Sequence, residues 1–153
     1  MTTPFSIKED HTEILTLIAQ QFQALSWTEK TAPNVETLLA GYLPDAPLFS
    51  SARPAKAQSP HSFAKRMTSL QQNGTLRSFT EQGRGIHIWI TGQVAVAMAG
   101  CEMRENHNQI AEDISAFLLV KNPGGWIIAA QAWDILPSIT DAFAANDLRD
   151  DSF

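Results

Sequence analysis

The chain has 153 residues, of which 44% are hydrophobic and 18% are charged, a balance typical of one folded globular domain over residues 1–153. Its formal net charge of −5 argues against a nucleic-acid partner, which would need a basic face, and against an anionic membrane surface. The single cysteine, Cys101, allows no intrachain disulfide, and the start MTTPFSIKEDH lacks the basic and apolar regions of a secretory signal. We therefore expect a cytoplasmic protein.

The first half of the chain has the apolar spacing of helices. Apolar side chains recur every three or four residues from Ile14 to Leu25. Ser6 with Glu9 has the spacing of a capping box, and Asp10 with Glu13 is a second possible start of this helix. A short second helix is expected after Asn34, which is a favourable cap. A third helix is predicted to open at Ser59-Pro60, where a cap precedes a first-turn proline.

Residues 44–60 link the second and third helices and contain four prolines. This composition predicts an irregular segment with a short strand around Leu48-Phe49. Binding residues are often carried by such loops, so we expect this segment to border any cavity mouth.

The second half of the chain has the period and turn residues of β-strands. The connections TGQ, RENHNQ and KNPGG are short and rich in turn formers, so the strands they join are expected to be antiparallel neighbours in a meander. Gly83 and Gly85 indicate a bulge or bend. The tail, residues 135–153, has room for a short helix with Ser138 as its cap. The four predicted strands cover residues 86–90, 94–103, 110–120 and 126–135.

Three helices followed by such a sheet predict an α+β fold. The last strand is apolar on both faces, because Ile127 and Ala129 alternate with Trp126 and Ile128. The helices can cover only one face of the sheet. The convex face is therefore predicted to be a subunit interface, which makes the protein a homodimer paired with itself.

The segment from Ser115 to Asp134, which contains FLLVKNPGGWIIAAQAWD, resembles the closing hairpin of the nuclear transport factor 2-like superfamily, in its SnoaL-like branch. That signature is an apolar strand, a glycine-containing turn, then Trp-x-Ile and a polar or aromatic residue before an acid or serine. The resemblance implies a cystatin-like conical barrel, three N-terminal helices packed on a curved antiparallel sheet, with a pocket in its open end. Members include isomerases, dehydratases, cyclases, epoxide hydrolases and proteins with no known reaction.

Catalytic candidates are few. Glu112 and Asp113 are adjacent on a strand, so only one of them can point into the cavity. Asp113 and His87 are the candidate bases for an isomerase, cyclase or hydrolase. Tyr42 is interpreted as a packing residue, and Cys101 as a core thiol with no base beside it. No His or Cys pair has metal-ligand spacing, so neither a metal nor another cofactor is predicted.

Aromatic residues indicate a pocket for a flat apolar ligand. Gln131 and Trp133 are two residues apart on the last strand and share a face with Ile127 and Ala129, while Trp126 and Asp134 take the opposite face. The resemblance implies that Trp133 points inward, so Trp126 and Asp134 are expected on the outer face. Two functions stay open: a homodimeric module that binds a small apolar molecule, and an isomerase, cyclase or hydrolase that uses an acid or histidine in the cavity. The predicted ligand-binding residues are Trp27, Trp89, Ile127, Ala129, Gln131 and Trp133.

Overall fold

The computed structural model describes residues 4–146 and residue 153, with side chains from residue 7 onward. The predicted end of the tail, residues 147–152, lies outside the described residues. No helix in the described part of the chain is long and apolar enough to cross a membrane. The elements in chain order are α1 Pro4–Ala24, α2 Val35–Ala40, β1 Leu48–Phe49, α3 Pro60–Gln72, β2 Phe79–Thr91, β3 Val94–Glu105, β4 Gln109–Asn122, β5 Gly125–Leu136 and α4 Ile139–Asn146.

The predicted helix caps are mostly present. Asn34 accepts a hydrogen bond from Thr37 N at the start of α2, and Ser59 accepts one from Ser62 N at the start of α3. The Ser138 hydroxyl likewise accepts one from Asp141 N before α4. Both predicted starts of α1, at Ser6 and at Asp10, are wrong, because the helix already begins at Pro4.

The five strands form one sheet in the order β1-β5-β4-β3-β2, and the α+β prediction is confirmed. Strands β2 to β5 form the expected antiparallel meander, while the short β1 pairs in parallel with β5. Helix α1 contacts both β2 and β5, which lie far apart in the strand order. The sheet must therefore curl around this helix, and we call the concave side the inner face and the opposite side the outer face.

Two bulges decide which side chains reach the inner face. The first, between Arg84 and Ile86, coincides with the predicted bend at Gly85, whose φ of 75° favours glycine. The second breaks the register of β5 at Ala129. A bulge shifts the side-chain alternation by one residue, so Ile128, and not Ile127, shares the inner face with Gln131. The prediction that Ile127 and Ala129 share a face with Gln131 is therefore wrong.

The start of α1 is joined to the hairpin between β4 and β5. The Asp10 carboxylate is buried and accepts hydrogen bonds from Lys121 Nζ at 2.8 Å and from Trp126 Nε1 at 3.0 Å. Burial tends to raise the pKa of Asp10, but these hydrogen bonds outweigh it and the pKa is lowered. Glu13 accepts a further hydrogen bond from Trp126 N. Trp126 therefore faces α1, and the prediction that it lies on the outer face with Asp134 is wrong.

The outer face is partly covered by a helix of the same chain. Ile139 and Phe143 of α4 are buried and pack against Met98 and Ile114. The ring of Phe143 also fills the space beside Gly100, where a Cβ atom would overlap it at 2.2 Å. The expectation that nothing in the chain covers this face is wrong at its α4 end.

Asp10→Ala tests the junction between α1 and the hairpin. We expect the free energy of unfolding to fall by about 1–3 kcal/mol, because the buried indole N–H of Trp126 and the Lys121 amine both lose their acceptor. Urea titration followed by circular dichroism measures the change. Glu9→Ala, at an exposed neighbouring position, is the control, and an equal loss in both variants would contradict the assignment.

Candidate functional site

A cavity of about 390 Å³ lies between the inner face, α3 and the end of α1. Its wall is largely apolar and includes Phe22, Phe63 and Trp133. Residues 50–52 and Gln58 line it from the proline-rich segment, as expected for a loop at the cavity mouth. Polar groups gather on the strand side of the cavity, and they are Glu81, Glu105, Asp113, Ser115 and Gln131.

Asp113 is the carboxyl group that β4 places on the inner face. Its side chain is only 6% exposed, and Oδ1 is buried without a hydrogen-bond partner among the described residues. This burial raises the pKa of Asp113 from 3.8 to about 7. The neighbouring Glu112 points to the outer face, where it accepts a hydrogen bond from Arg84 Nη1 at 2.9 Å. Of the two adjacent acids, Asp113 is thus the one that lines the cavity.

A second carboxyl group, that of Glu81, lines the cavity from β2. Burial raises the pKa of Glu81 well above its usual value, and the charge of Asp113 raises it further. Cys101 lies directly opposite Asp113 in the β3–β4 pair and is fully buried. Burial raises the pKa of this thiol and keeps it protonated, which does not suit a nucleophile. The sequence prediction missed Glu81, because it started this strand at residue 86 whereas β2 begins at Phe79.

A chain of hydrogen bonds ends beside Asp113. Tyr42 Oη donates to Gln131 Oε1 at 2.5 Å, and Gln131 Nε2 donates to Ser115 Oγ at 3.2 Å. Burial, followed by the nearby Glu81 charge, raises the pKa of Tyr42, so its hydroxyl stays protonated and able to donate. The sequence indicated only a packing role for Tyr42. It is buried as expected, but it also lines the cavity and fixes the amide of Gln131.

The structure separates the predicted ligand-binding residues. Gln131 and Trp133 both line the cavity, where the Trp133 ring meets Phe63 edge-on at 5.4 Å. Their role in binding stays a prediction. Trp27 is a core residue that does not line the cavity, and its Nε1 donates to Leu76 O at 2.9 Å.

The predictions for Trp89, Ile127 and Ala129 as cavity residues are wrong. Trp89 lies on the outer face and is 48% exposed. After the bulge of β2 the side chains alternate between the two faces in a phase that points Trp89 outward. Ile127 pairs with Val120 on the same outer face, and Ala129 occupies the bulge in β5. The closing strand contributes Gln131 and Trp133 to the cavity, but not the residues before its bulge.

The histidines do not meet at the cavity. His87 lies on the outer face, where its ring stacks on Trp89 at 4.0 Å, so the prediction that it could act as a base in the cavity is wrong. His61 is exposed at the start of α3, and His107 contacts Glu29 at 2.8 Å in a turn. Across residues 4–146 and 153, no cluster of three His, Cys, Asp or Glu side chains could hold a metal ion.

The sequence matches no family model and no curated protein, but its fold is well represented among solved structures. A candidate scytalone dehydratase from Novosphingobium aromaticivorans superposes with a TM-score of 0.71 at 13% identity, covering 88% of this chain and 89% of that one. An NTF2-like protein with a cystatin-like fold, also from Novosphingobium aromaticivorans, gives 0.69 at 15% identity, covering 94% and 97%. A Nostoc punctiforme protein of unknown function gives 0.66 at 16% identity, covering 85% and 93%.

The chain has the cystatin-like, NTF2-like fold. In this chain the concave sheet and the helices enclose the cavity. The likeness extends over nearly the whole chain at low identity, so it defines the architecture and not the chemistry. The polar groups of this particular NTF2-like cavity therefore have to be interpreted from their own contacts.

Asp113→Asn tests the ionisation of the buried carboxyl group. A folded-state pKa of about 7 means that the folded protein holds a proton that the unfolded chain releases near pH 4, so the free energy of unfolding falls as pH rises from about 4 to 7. The amide cannot ionise, so the variant should be more stable than the wild type by roughly 2–4 kcal/mol at pH 8 and about equal to it at pH 4. Urea titrations at both values measure this, and a pH-independent difference would contradict the raised pKa.

Proposed function

We propose that the protein catalyses proton transfer on a small, mostly apolar molecule bound in the cavity, with Asp113 as the general base. The observation that carries this proposal is the carboxyl group of Asp113, a residue that lines the cavity and whose Oδ1 atom is buried without a hydrogen-bond partner among the described residues. A buried polar atom with no partner destabilises the fold, so it is more often found where a ligand completes it. A pKa of about 7 also suits a base that must exchange a proton near neutral pH.

The surrounding groups fit the same role. Ser115 Oγ is the last acceptor in the hydrogen-bonded chain that begins at Tyr42 and passes through Gln131. The hydroxyl hydrogen of Ser115 is therefore free to be donated to a polar atom of the substrate. Glu81 provides a second carboxyl group whose proton affinity is coupled to that of Asp113. In an isomerisation, Asp113 would take a proton from an acidic C–H bond and return it to another carbon, with the electron pair passing through the conjugated substrate.

The named relative is compatible with this class of reaction. Elimination of water from a carbonyl compound can begin with removal of an acidic proton, and one structural neighbour carries the name of a candidate scytalone dehydratase. The dehydratase name applies to that neighbour and not to this chain. For this chain we propose only the first step of such a reaction, the removal of a proton from carbon, without naming a substrate.

A second candidate function is binding of a small apolar molecule without chemistry. The apolar wall formed by Phe63, Met67 and Leu70 favours it, because such surfaces bind flat or aliphatic ligands without any catalytic group. The two candidates differ in what Asp113 does. A binding module needs the carboxyl group at most as a hydrogen-bond partner, whereas the enzyme needs it to gain and lose a proton.

We further propose that two copies of the chain pair through the outer face, in the cytoplasm. Trp89, Val96 and Leu118 lie side by side there in the strand register, and each is between 45% and 48% exposed. Contiguous apolar surface of this kind is uncommon on soluble monomers and is typical of interfaces. The part of the face that α4 leaves open also forms a shallow depression, into which side chains of a second copy would pack.

Proton exchange tests the proposed chemistry directly. We expect the protein to accelerate exchange of the acidic C–H protons of 2-tetralone, an apolar bicyclic ketone, in deuterium oxide, followed by nuclear magnetic resonance. Asp113→Asn should lower this rate by about 10²–10⁴-fold, because the base is lost. The wild-type rate should rise with pH through about 7, as Asp113 ionises.

Glu112→Gln is the matched control for the exchange experiment, since it removes a carboxyl group from the outer face of the same strand. Its rate should equal that of the wild type. Exchange that is insensitive to Asp113→Asn would overturn the catalytic role of this residue. Tight binding of the ketone without any exchange would favour the binding module.

Light scattering tests the proposed dimer. The wild type should have about twice the chain mass of 16.8 kDa at micromolar concentration. Val96→Lys should shift it toward the monomer, because a charge would be buried between the two sheets. Gln93→Lys, in the exposed turn between β2 and β3, is the control and should remain dimeric. A monomeric wild type would rule out this interface.

A further inference from the structure

Arg66 is the one cationic side chain that lines the cavity within the described residues. It lies on α3 three residues after Phe63 and four before Leu70, so the three share the helix face that borders the cavity. Its side chain is exposed, which places it at the rim. Arginines on a solvent-facing stripe are common, but this one belongs to the apolar stripe that faces the cavity.

The guanidinium of Arg66 makes no hydrogen bond or ion pair with any residue in the described part of the chain. Arg53, on the loop at the mouth, differs in this respect. Its Nη1 donates to Ser50 O at 3.0 Å and to Ala52 O at 2.9 Å and so holds the loop. Arg66 therefore keeps its planar set of donors available at the rim of the cavity.

The interior of the cavity has the opposite electrostatic character. Glu81 and Asp113 line its strand side, and Glu105 lies on the neighbouring strand β3. An anionic group placed among these carboxyl groups would be poorly solvated at any pH, and once Asp113 ionises, with its pKa of about 7, it would also meet a like charge, which is unfavourable. A ligand with one anionic group can satisfy both ends of the cavity in only one orientation, with its charge at the rim and its apolar body inside.

We propose that the cavity takes an amphipathic monoanion, an apolar molecule with a single carboxylate or other oxyanion group, which Arg66 binds at the rim. The apolar body then lies along Phe63, Met67 and Leu70, and the far end reaches Asp113. The assignment of the far end rests on the proposed proton transfer. The assignment of the anionic end does not, because it depends only on Arg66 and on the apolar stripe beside it.

A matched pair of fluorescent probes tests this proposal. 8-Anilinonaphthalene-1-sulfonate and N-phenyl-1-naphthylamine share one apolar skeleton, and only the first carries an anionic group. Arg66→Gln should weaken binding of the sulfonate about five- to tenfold, as expected for loss of a charge-assisted contact, and leave the neutral probe within about twofold. Decanoate should likewise lose its power to displace the neutral probe from this variant, whereas decanol should keep it.

Two control variants separate the charge of Arg66 from charge and apolar surface elsewhere on the protein. Lys65→Gln removes the adjacent exposed charge, which does not line the cavity, and should leave both probes unchanged. Ile110→Gln alters an exposed apolar residue that neither lines the cavity nor belongs to the proposed interface, and it should also have no effect on either affinity. An equal loss for both probes in Arg66→Gln, an equal loss in Lys65→Gln, or no binding of either probe to the wild type would overturn the proposal.

The same measurement on Asp113→Asn keeps this proposal separate from the proposed function. That variant should still prefer the sulfonate over the neutral probe by the wild-type ratio, even though it has lost proton exchange. If the wild type shows no proton exchange while the preference for the sulfonate depends on Arg66, the anion site is supported and the proposed proton transfer is contradicted. If proton exchange depends on Asp113 while Arg66→Gln changes the affinity of neither probe, the proton transfer is supported and the anion site is contradicted.

Discussion

The position of α1 inside the curved sheet is the constraint on which the rest of the structure depends. Asp10 and Glu13 bind the hairpin end of β4 and β5, so the first half of the helix fills that end of the sheet. Further along, the same helix presents Gln21 and Phe22 to the cavity. Since one helix cannot fill both ends of the space that the strands enclose, the anchored end is packed and the other end stays open. The cavity is thus a consequence of where the helix is held.

The open end has carboxyl groups with no cationic partner among the described residues, whereas the buried Asp10 at the packed end pairs with Lys121. Asp113 and Glu81 are carboxyl groups in surroundings that favour their neutral forms, and folding places them there at a cost in stability. The sequence could have supplied apolar residues at these inward positions, as it does at Phe117 and Leu119 further along the same strand. Apolar residues at these inner-face positions would make the fold more stable, but at this end of the sheet the chain has titratable groups instead. This is the pattern expected where a fold carries chemistry.

The architecture was largely readable from the sequence, because it depends on features that repeat. Helical spacing, caps such as Asn34 and Ser59, and short turns between strands gave the α+β layout and the meander. The cavity was readable only in part, because a single irregular residue reverses every side chain beyond it. Gln131 and Trp133 lie after the bulge of β5 and keep their shared face, whereas Ile127 lies before it and turns outward. Nothing in a run of small and apolar residues marks Ala129 as the site of that bulge.

The contacts of Tyr42 and Glu81 could not be foreseen for a different reason. Tyr42 reaches Gln131 across a separation of 89 residues, and Glu81 lies on the early part of a strand that was predicted to begin later. The contact of Tyr42 depends on strand register in three dimensions and leaves no local pattern in the sequence, whereas the position of Glu81 leaves a short one. The clearest available signal was the alternation of Phe79, Glu81 and Gly83, which continues the strand backward from its bulge with a carboxyl group on the inner face.

The cavity and the outer face are two sides of the same strands, and this links the two proposals about function. Phe117 lines the cavity and the adjacent Leu118 lies on the open outer face, so one backbone segment positions both. Helix α4 packs on Ile114, the residue between Asp113 and Ser115, and so supports from behind the segment whose geometry the proposed proton transfer needs to be held closely. Further along the same strands, around Val96 and Leu118, the outer face is open. A second copy on the outer face would therefore do for the open part of the sheet what α4 does for the part it covers, by holding the strands from behind.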